Sequence, residues 1–383
     1  MIELMLAGGK TPVPGGNILK IGTSSTGIGA LANSGNLYVI GDLYISGTGG
    51  AVKTWTLLAG GVEDFWMAHR QVLMRMKDGR WMFVGSNEMF PTALGSVIQG
   101  LTDVSEYMTY PEGLSIKEVS LGFRSLAVVF TDGQYAMCGR NNSGGLGQGN
   151  ADQVRTLTMR NDFTDVEKIA FDQGSTDTSY LLRKSGHFYV AGSSDYGQAG
   201  SISGAVSTWA LQSLVTKDFF PGHTGVFMIV DTGSVYATYV QGRHFGGSLG
   251  TGSTGDASYR NPTAVWQNIS DRSKGVPVIY TGLYSARVTH PVTGVLYYTG
   301  TNSGQSQGTG PSQAQRYSFT AMPSSTLQGD YHSMRSNYSV SYLLIDGNLY
   351  GTGQDSGGTA GTLPGVGGTR VDTYVPLDTS LVI

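Results

Sequence analysis

The sequence predicts an all-β protein, a seven-bladed β-propeller with about four antiparallel strands per blade. Three observations predict it. Glycine fills 58 of 383 positions and only 13% of residues are charged, against a usual glycine share of ~7%. A hairpin signal, a turn glycine followed six residues later by a second glycine, recurs along the whole chain. No stretch with a helical apolar period runs longer than about ten residues, so helices do not compete with the strands.

The hairpins follow in order. "NSGNLYVIG" pairs Gly35 with Gly41, "KDGRWMFVG" pairs Gly79 with Gly85, "FTDGQYAMCG" pairs Gly133 with Gly139 and "KSGHFYVAG" pairs Gly186 with Gly192. The fifth, "DTGSVYATY", turns at Gly233 but carries Tyr239 at the second position. "VTGVLYYTG" pairs Gly294 with Gly300, and "IDGNLYGTG" pairs Gly347 with Gly353. Successive turn glycines lie 44, 54, 53, 47, 61 and 53 residues apart. In each unit an apolar strand such as "SLAVVF" enters a two-residue D-G, S-G or T-G turn, where glycine supplies the positive φ of a primed hairpin. The return strand alternates aromatic and aliphatic residues, as a half-buried strand should. A Gly-rich loop and an apolar connector such as "SIKEVSL" complete the unit. Such units cannot bury their own faces, and radial repetition around a channel solves the problem.

One propeller domain is therefore expected over residues 17–383, preceded by an N-terminal segment, 1–16, that closes the ring or docks on a partner. "TYVPLDTSLVI" matches the connector that ends other units and "NILKIGTSSTGIGALA" matches a first strand. The two chain ends are expected to meet in one blade.

The unit over 166–200 and the loop "CGRNNSGGLGQGN" carry a further signal: an apolar connector, a G-x-aromatic hairpin, then G-x-N-x-x-G-x-x-G. The pattern resembles the repeat of the regulator of chromosome condensation (RCC1-like) family. "TGTNSGQSQGTG" is another copy, "RHFGGSLGTG" and "GTGQDSGGTAG" are looser, and the first two units lack the loop. The resemblance spans residues 17–383. It implies a seven-bladed propeller whose glycines turn between strands; the family includes nucleotide-exchange factors and enzyme inhibitors.

Motifs for chemistry are absent or out of context. "GTGSTG" (250–255) matches G-x-G-x-x-G but sits in a repeat loop with no helix to follow, as a dinucleotide site requires. G-x-S-x-G occurs around Ser248 and Ser306 at equivalent repeat positions, without a strand-to-helix elbow. The six histidines (His69, His187, His223, His244, His290, His332) never fall at metal-ligand spacing. No metal site, cofactor or catalytic residue is expected. Cys138, alone, forms no disulfide and reads as a buried thiol. A net charge of −3 with no basic cluster argues against nucleic acid. The N-terminus lacks a signal-peptide pattern and no apolar run suits membrane insertion, which points to synthesis in a cytoplasm.

Binding is the expected role, since propellers carry loops on a rigid scaffold. Two segments break the repeat with the residues enriched in interface cores. One, 86–115, carries Met89, Phe90, Tyr107, Met108 and Tyr110; the other, 239–262, carries Arg243, His244, Phe245, Tyr259 and Arg260. Trp55, Trp209 and Trp266 occupy similar connector positions, where packing between blades is expected. The Gly-, Ser-, Thr- and Tyr-rich composition is similar to that of bacteriophage virion proteins. It implies a non-enzymatic accessory of a tail, baseplate or capsid surface, with other virion proteins or a host surface receptor or glycan as partner. A soluble regulator, either exchange factor or enzyme inhibitor, is the alternative, and a glycan hydrolase with carboxylates on separate blades is the third reading.

Overall fold

The computed structural model describes residues 17–43, 52–174, 177–200, 202, 204–269, 275–282, 285–290, 292–301, 315–322, 333–336, 340–354, 370–379 and 382. They form seven four-stranded antiparallel sheets, each built from consecutive strands. Blades one to seven cover 18–59, 62–103, 116–160, 166–215, 218–269, 279–321 and 333–376. Blade three shows the pattern: Ile116–Leu121, Ser125–Phe130, Tyr135–Gly139 and Val154–Arg160, in that order from the inside out. No described helix is long and apolar enough to cross a membrane.

The second strand of each blade is buried on both faces, which is why it reads as a continuous apolar run. Leu126, Val128 and Phe130 point into the core shared with blade two, and Ala127 and Val129 into the core shared with blade four. Seven such clusters fill the seven interfaces between blades. Each first strand lies beside those of both neighbouring blades, and Ser333–Ser336 lies beside Ile18–Thr23. The ring is closed.

Closure differs from the expectation in one respect. Among the described residues, blades one and seven are each continuous in sequence, so Ile18–Thr23 and Arg370–Pro376 lie in separate sheets. They meet across a packed interface in which Ile18 and Ile21 join Leu377 and Val382, while Trp55 Nε1–H donates to Asp378 O at 2.9 Å. Segment 1–16 lies outside the described residues.

All seven turn glycines have positive φ, from 68° at Gly294 to 98° at Gly133. Their turns are mostly not the two-residue kind. In blade three Gly133 N–H donates to Phe130 O at 3.0 Å and Phe130 N–H to Gln134 O at 2.9 Å. That pair closes a three-residue loop, a type I turn followed by a glycine bulge. The same bond pair recurs at Gly35 and Gly79. Only the seventh hairpin pairs Ile345 with Asn348 across Asp346 and Gly347, both left-handed at φ 48° and 74°. The turn glycines also tie blades together: Val62 N–H donates to Gly35 O and Val166 N–H to Gly133 O.

The second glycine has a steric cause. A Cβ on Gly139 would stand 2.3 Å from Arg124 O and one on Gly85 2.1 Å from Arg70 O. The fifth blade keeps this glycine at Gly242, three residues beyond Tyr239: its φ is 110°, and a Cβ there would stand 2.4 Å from Gly225 Cα. A longer hairpin, Asp231 paired with Tyr236, displaced it.

Candidate functional site

The Gly-rich loops lie flat on the next blade. In blade three, Gly144 and Gly147 face Ser207 and Trp209 of blade four so closely that a Cβ would meet them at 2.4 and 2.6 Å. Gly149 N–H donates to Ser207 O at 2.7 Å. Asn141, fully buried, holds the loop: its Nδ2 donates to Asn150 O and Asp152 O, and its Oδ1 accepts from Leu146 N. The residue two beyond the second glycine has this task in each of four blades. Asn87 binds Gly95 O, Ser194 binds Ile202 O and His244 binds Ser253 O, at 2.8 Å each.

That equivalence corrects part of the binding expectation. His244 has no exposed surface and anchors its own loop, with Thr251 Oγ1 3.3 Å from Nδ1 and Tyr259 OH donating to the same Thr251. Burial holds its pKa below the ordinary histidine value. Met89 and Phe90 are fully buried core residues of the interface between blades two and three, and Met108 joins them. Phe90 packs edge-on to Phe83 at 5.3 Å and against Tyr107 at 6.1 Å. Tyr110 packs on Phe130 at 5.1 Å. Tyr107 and Tyr110 are only half-buried, as are Arg243, Phe245 and Tyr259. Arg243 sits over the rings of Tyr196 and Phe245 and pairs with Asp256 at 3.5 Å. Arg260 NH1 donates to Ile202 O. The two segments do not form one site, because the first lies at blades two and three and the second at blade five.

Trp55, Trp209 and Trp266 all pack between blades. Ser248 Oγ accepts from Phe245 N within its turn, and Ser306 and His332 lie outside the described residues. Burial pushes the Cys138 thiol up to about 12. Among the described residues no cluster of three His, Cys, Asp or Glu side chains could hold a metal ion.

The residues that do converge sit at the channel. Its walls are the first strands, whose facing charges pair across blades: Lys20 with Asp64 at 2.6 Å, Lys117 with Glu167 at 2.6 Å and Lys168 with Asp218 at 2.9 Å. A space of about 690 Å³ lies beside Lys20, Asp64, Lys117 and Glu118. A second, of about 320 Å³, opens where the first strands end, bounded by the loops that lead to the second strands.

Those loops place equivalent residues side by side around the mouth. Ser25 Oγ lies 3.1 Å from His69 Nδ1, and the His69 ring lies 4.2 Å from Phe123. Arg124 stacks over Phe123 at 4.6 Å and pairs with Asp177 at 3.4 Å. Arg70 pairs with Asp42 at 3.2 Å. Gln173 Nε2 reaches Thr281 Oγ1 at 2.7 Å, tying blade four to blade six. In both rim ion pairs the arginine is the outward partner, 34% and 20% exposed against 14% for Asp42 and 6% for Asp177. Partial burial and the neighbouring Arg70 and Arg124 hold the His69 pKa down at about 4. Burial and then Arg243 lower that of His223 in the equivalent loop. Burial raises that of Asp177, against the pull of Arg124. His69 and Asp177 have left-handed φ of 44° and 54°, a strain that a non-glycine residue keeps only where its surroundings impose it.

No protein-family model matches the chain, and no curated protein sequence matches it. Solved structures do. Human WBSCR16 superposes with a TM-score of 0.67 at 15% identity, covering 87% of this chain and 88% of that one. Yeast RCC1 (Prp20), bound to Kap60, gives 0.67 at 14% identity over 84% and 78%. Prp20p from Saccharomyces cerevisiae, studied for its binding to Gsp1p and histones, gives 0.62 at 15% over 80% and 77%. Blade number, strand order and these superpositions together show that the chain has the fold of the RCC1-like seven-bladed propellers.

Proposed function

We propose that this chain is a non-enzymatic, protein-binding regulator whose partner docks on the face that carries the channel mouth. One observation carries the reading: four blades bring Ser25, His69, Phe123, Arg124 and Asp177 into one continuous rim, two of them on strained backbone. Aromatic and arginine side chains on a rigid frame are the usual anchors of protein recognition. The protein partners of Prp20, namely Kap60, Gsp1p and histones, support a protein ligand for a propeller of this kind. Composition alone carries the placement in a virion or against a surface glycan, and the rim adds nothing to either. Regulation by nucleotide exchange or by enzyme inhibition are the two forms the proposal admits.

The test is parallel capture from a lysate of the native source on immobilised wild type, Phe123→Ser and Arg124→Glu. A protein partner retained by wild type should fall by roughly tenfold or more on each variant, as expected at an anchor position. Equal capture on all three beads would refute docking at the rim. Release of labelled nucleotide from captured GTPases then separates exchange from inhibition.

A further inference from the structure

The mouth is not a flat rim. Below Ser25, His69 and Gln173 the space of about 320 Å³ is lined at the ends of the first strands by the apolar side chains Met67, Leu121, Phe171, Phe219, Phe220 and Ile279. These apolar side chains share the lining with Ser120, Asp172 and Lys168, whose ammonium lies over the Phe219 and Phe220 rings and bonds Asp218, while Ser24, Ser25, Gln173 and Thr281 ring the opening. A pocket with apolar side chains in its lining and a polar rim is the setting in which one buried side chain dominates an interface. The pocket lies on the propeller axis, below the level of the loops, so only a protruding loop of a partner reaches it. Beside it, in the rim pairs Arg70–Asp42 and Arg124–Asp177, the arginine is the more exposed partner and the carboxylate the more buried one. A partner therefore meets the guanidinium side of both pairs before their carboxylates.

We infer that the mouth receives a single bulky apolar side chain, aromatic for choice, carried at the tip of a partner loop next to a carboxylate that faces Arg70 and Arg124. This rests on the protein-binding reading above and specifies the partner's contact. The aromatic group is sized to the cavity, and most of an anchor's contribution comes from leaving water. The carboxylate supplies orientation and draws on charge-assisted hydrogen bonds to guanidinium.

Ligand-observed NMR on the full chain tests it with three probes: the N-acetylated dipeptide amides Glu-Trp, Lys-Trp and Glu-Ala. Glu-Trp should bind, and Lys-Trp and Glu-Ala should each be weaker by roughly tenfold. Filling the pocket by Ala68→Phe or by Ser120→Phe should abolish Glu-Trp binding, with two variants and a melting curve for each guarding against misfolding. Equal binding of the three probes, or Glu-Trp binding unchanged in both folded variants, overturns the inference, as does no binding of Glu-Trp to wild type. Should that happen while capture of a protein still depends on Arg124, the anchor falls and the protein-binding reading stands. Loss of rim dependence in the capture itself brings down both.

Discussion

Within one hairpin, Gly242→Ala should destabilise the protein far more than Gly233→Ala. Both residues have positive φ, 110° at Gly242 and 89° at Gly233. A Cβ at Gly233 meets nothing within 4 Å, so only the backbone preference is lost, about 1–2 kcal/mol. A Cβ at Gly242 would stand 2.4 Å from Gly225 Cα and 2.5 Å from Thr224 O, both backbone atoms that cannot rotate away. Its φ lies outside the left-handed well, which adds about 1–3 kcal/mol of strain. Moving Thr224 aside also weakens the bond that Arg243 N–H donates to Thr224 O at 2.9 Å, worth about 1 kcal/mol. These two terms alone sum to about 2–4 kcal/mol, and the backbone shift that the clash forces comes on top, a large part of the ~5–15 kcal/mol that holds a typical domain folded. Urea unfolding followed by tryptophan fluorescence measures both variants. Equal shifts in midpoint, or a larger one for Gly233→Ala, would refute the steric account of the second glycine.

Three more outcomes are expected. The folded pKa of His69, about 4, lies below its ordinary value of 6.5; the unfolded chain then binds a proton the folded one refuses, so stability is full at neutral pH and falls as pH drops from about 6.5 to 4. Solvent screening at this half-buried residue reduces the effect to about 1–2 kcal/mol, and His69→Asn, which suits the left-handed backbone, should remove that part of the slope in urea midpoints at the two pH values. Asn141→Ala strips the bonds to Asn150 O, Asp152 O and Leu146 N; it should cost about 2–4 kcal/mol, with amide exchange accelerated first in 142–153. Trp55→Phe removes the bond to Asp378 O that joins blades one and seven, and should cost about 1 kcal/mol while speeding exchange at Leu377 more than at Leu126.

What the sequence disclosed was whatever repeats locally. The turn glycines, the apolar second strands and the blade number follow from patterns that lie within ten residues of one another. Hairpin geometry was harder to read: a D-G pair fits a two-residue turn and a bulged three-residue loop alike, and only blade seven took the former. Gly242 was hidden because Ser234 and Val235 still follow Gly233 in a four-residue loop, and a return strand one residue longer moves it further off the six-residue spacing. Met89 and Phe90 looked like interface residues because they interrupt the repeat, yet both are fully buried, and Phe90 N–H donates to Asn87 as Leu146 N–H does to Asn141 in blade three. The rim gave no motif, since its members belong to different blades. One signal was present: Ser25, His69 and Phe123 each stand sixteen residues before the second glycine of their unit. Equal offset in a ring means adjacency in space.

Hydrogen exchange on the chain with and without its captured protein partner tests the central claim most directly. Docking at the mouth predicts protection in 23–26, 67–71, 121–125, 172–174 and 221–225, with the hairpin turns at Gly35, Gly79 and Gly133 unchanged. Protection confined to those turns, or to the outer strand Ala205–Val215, would contradict it.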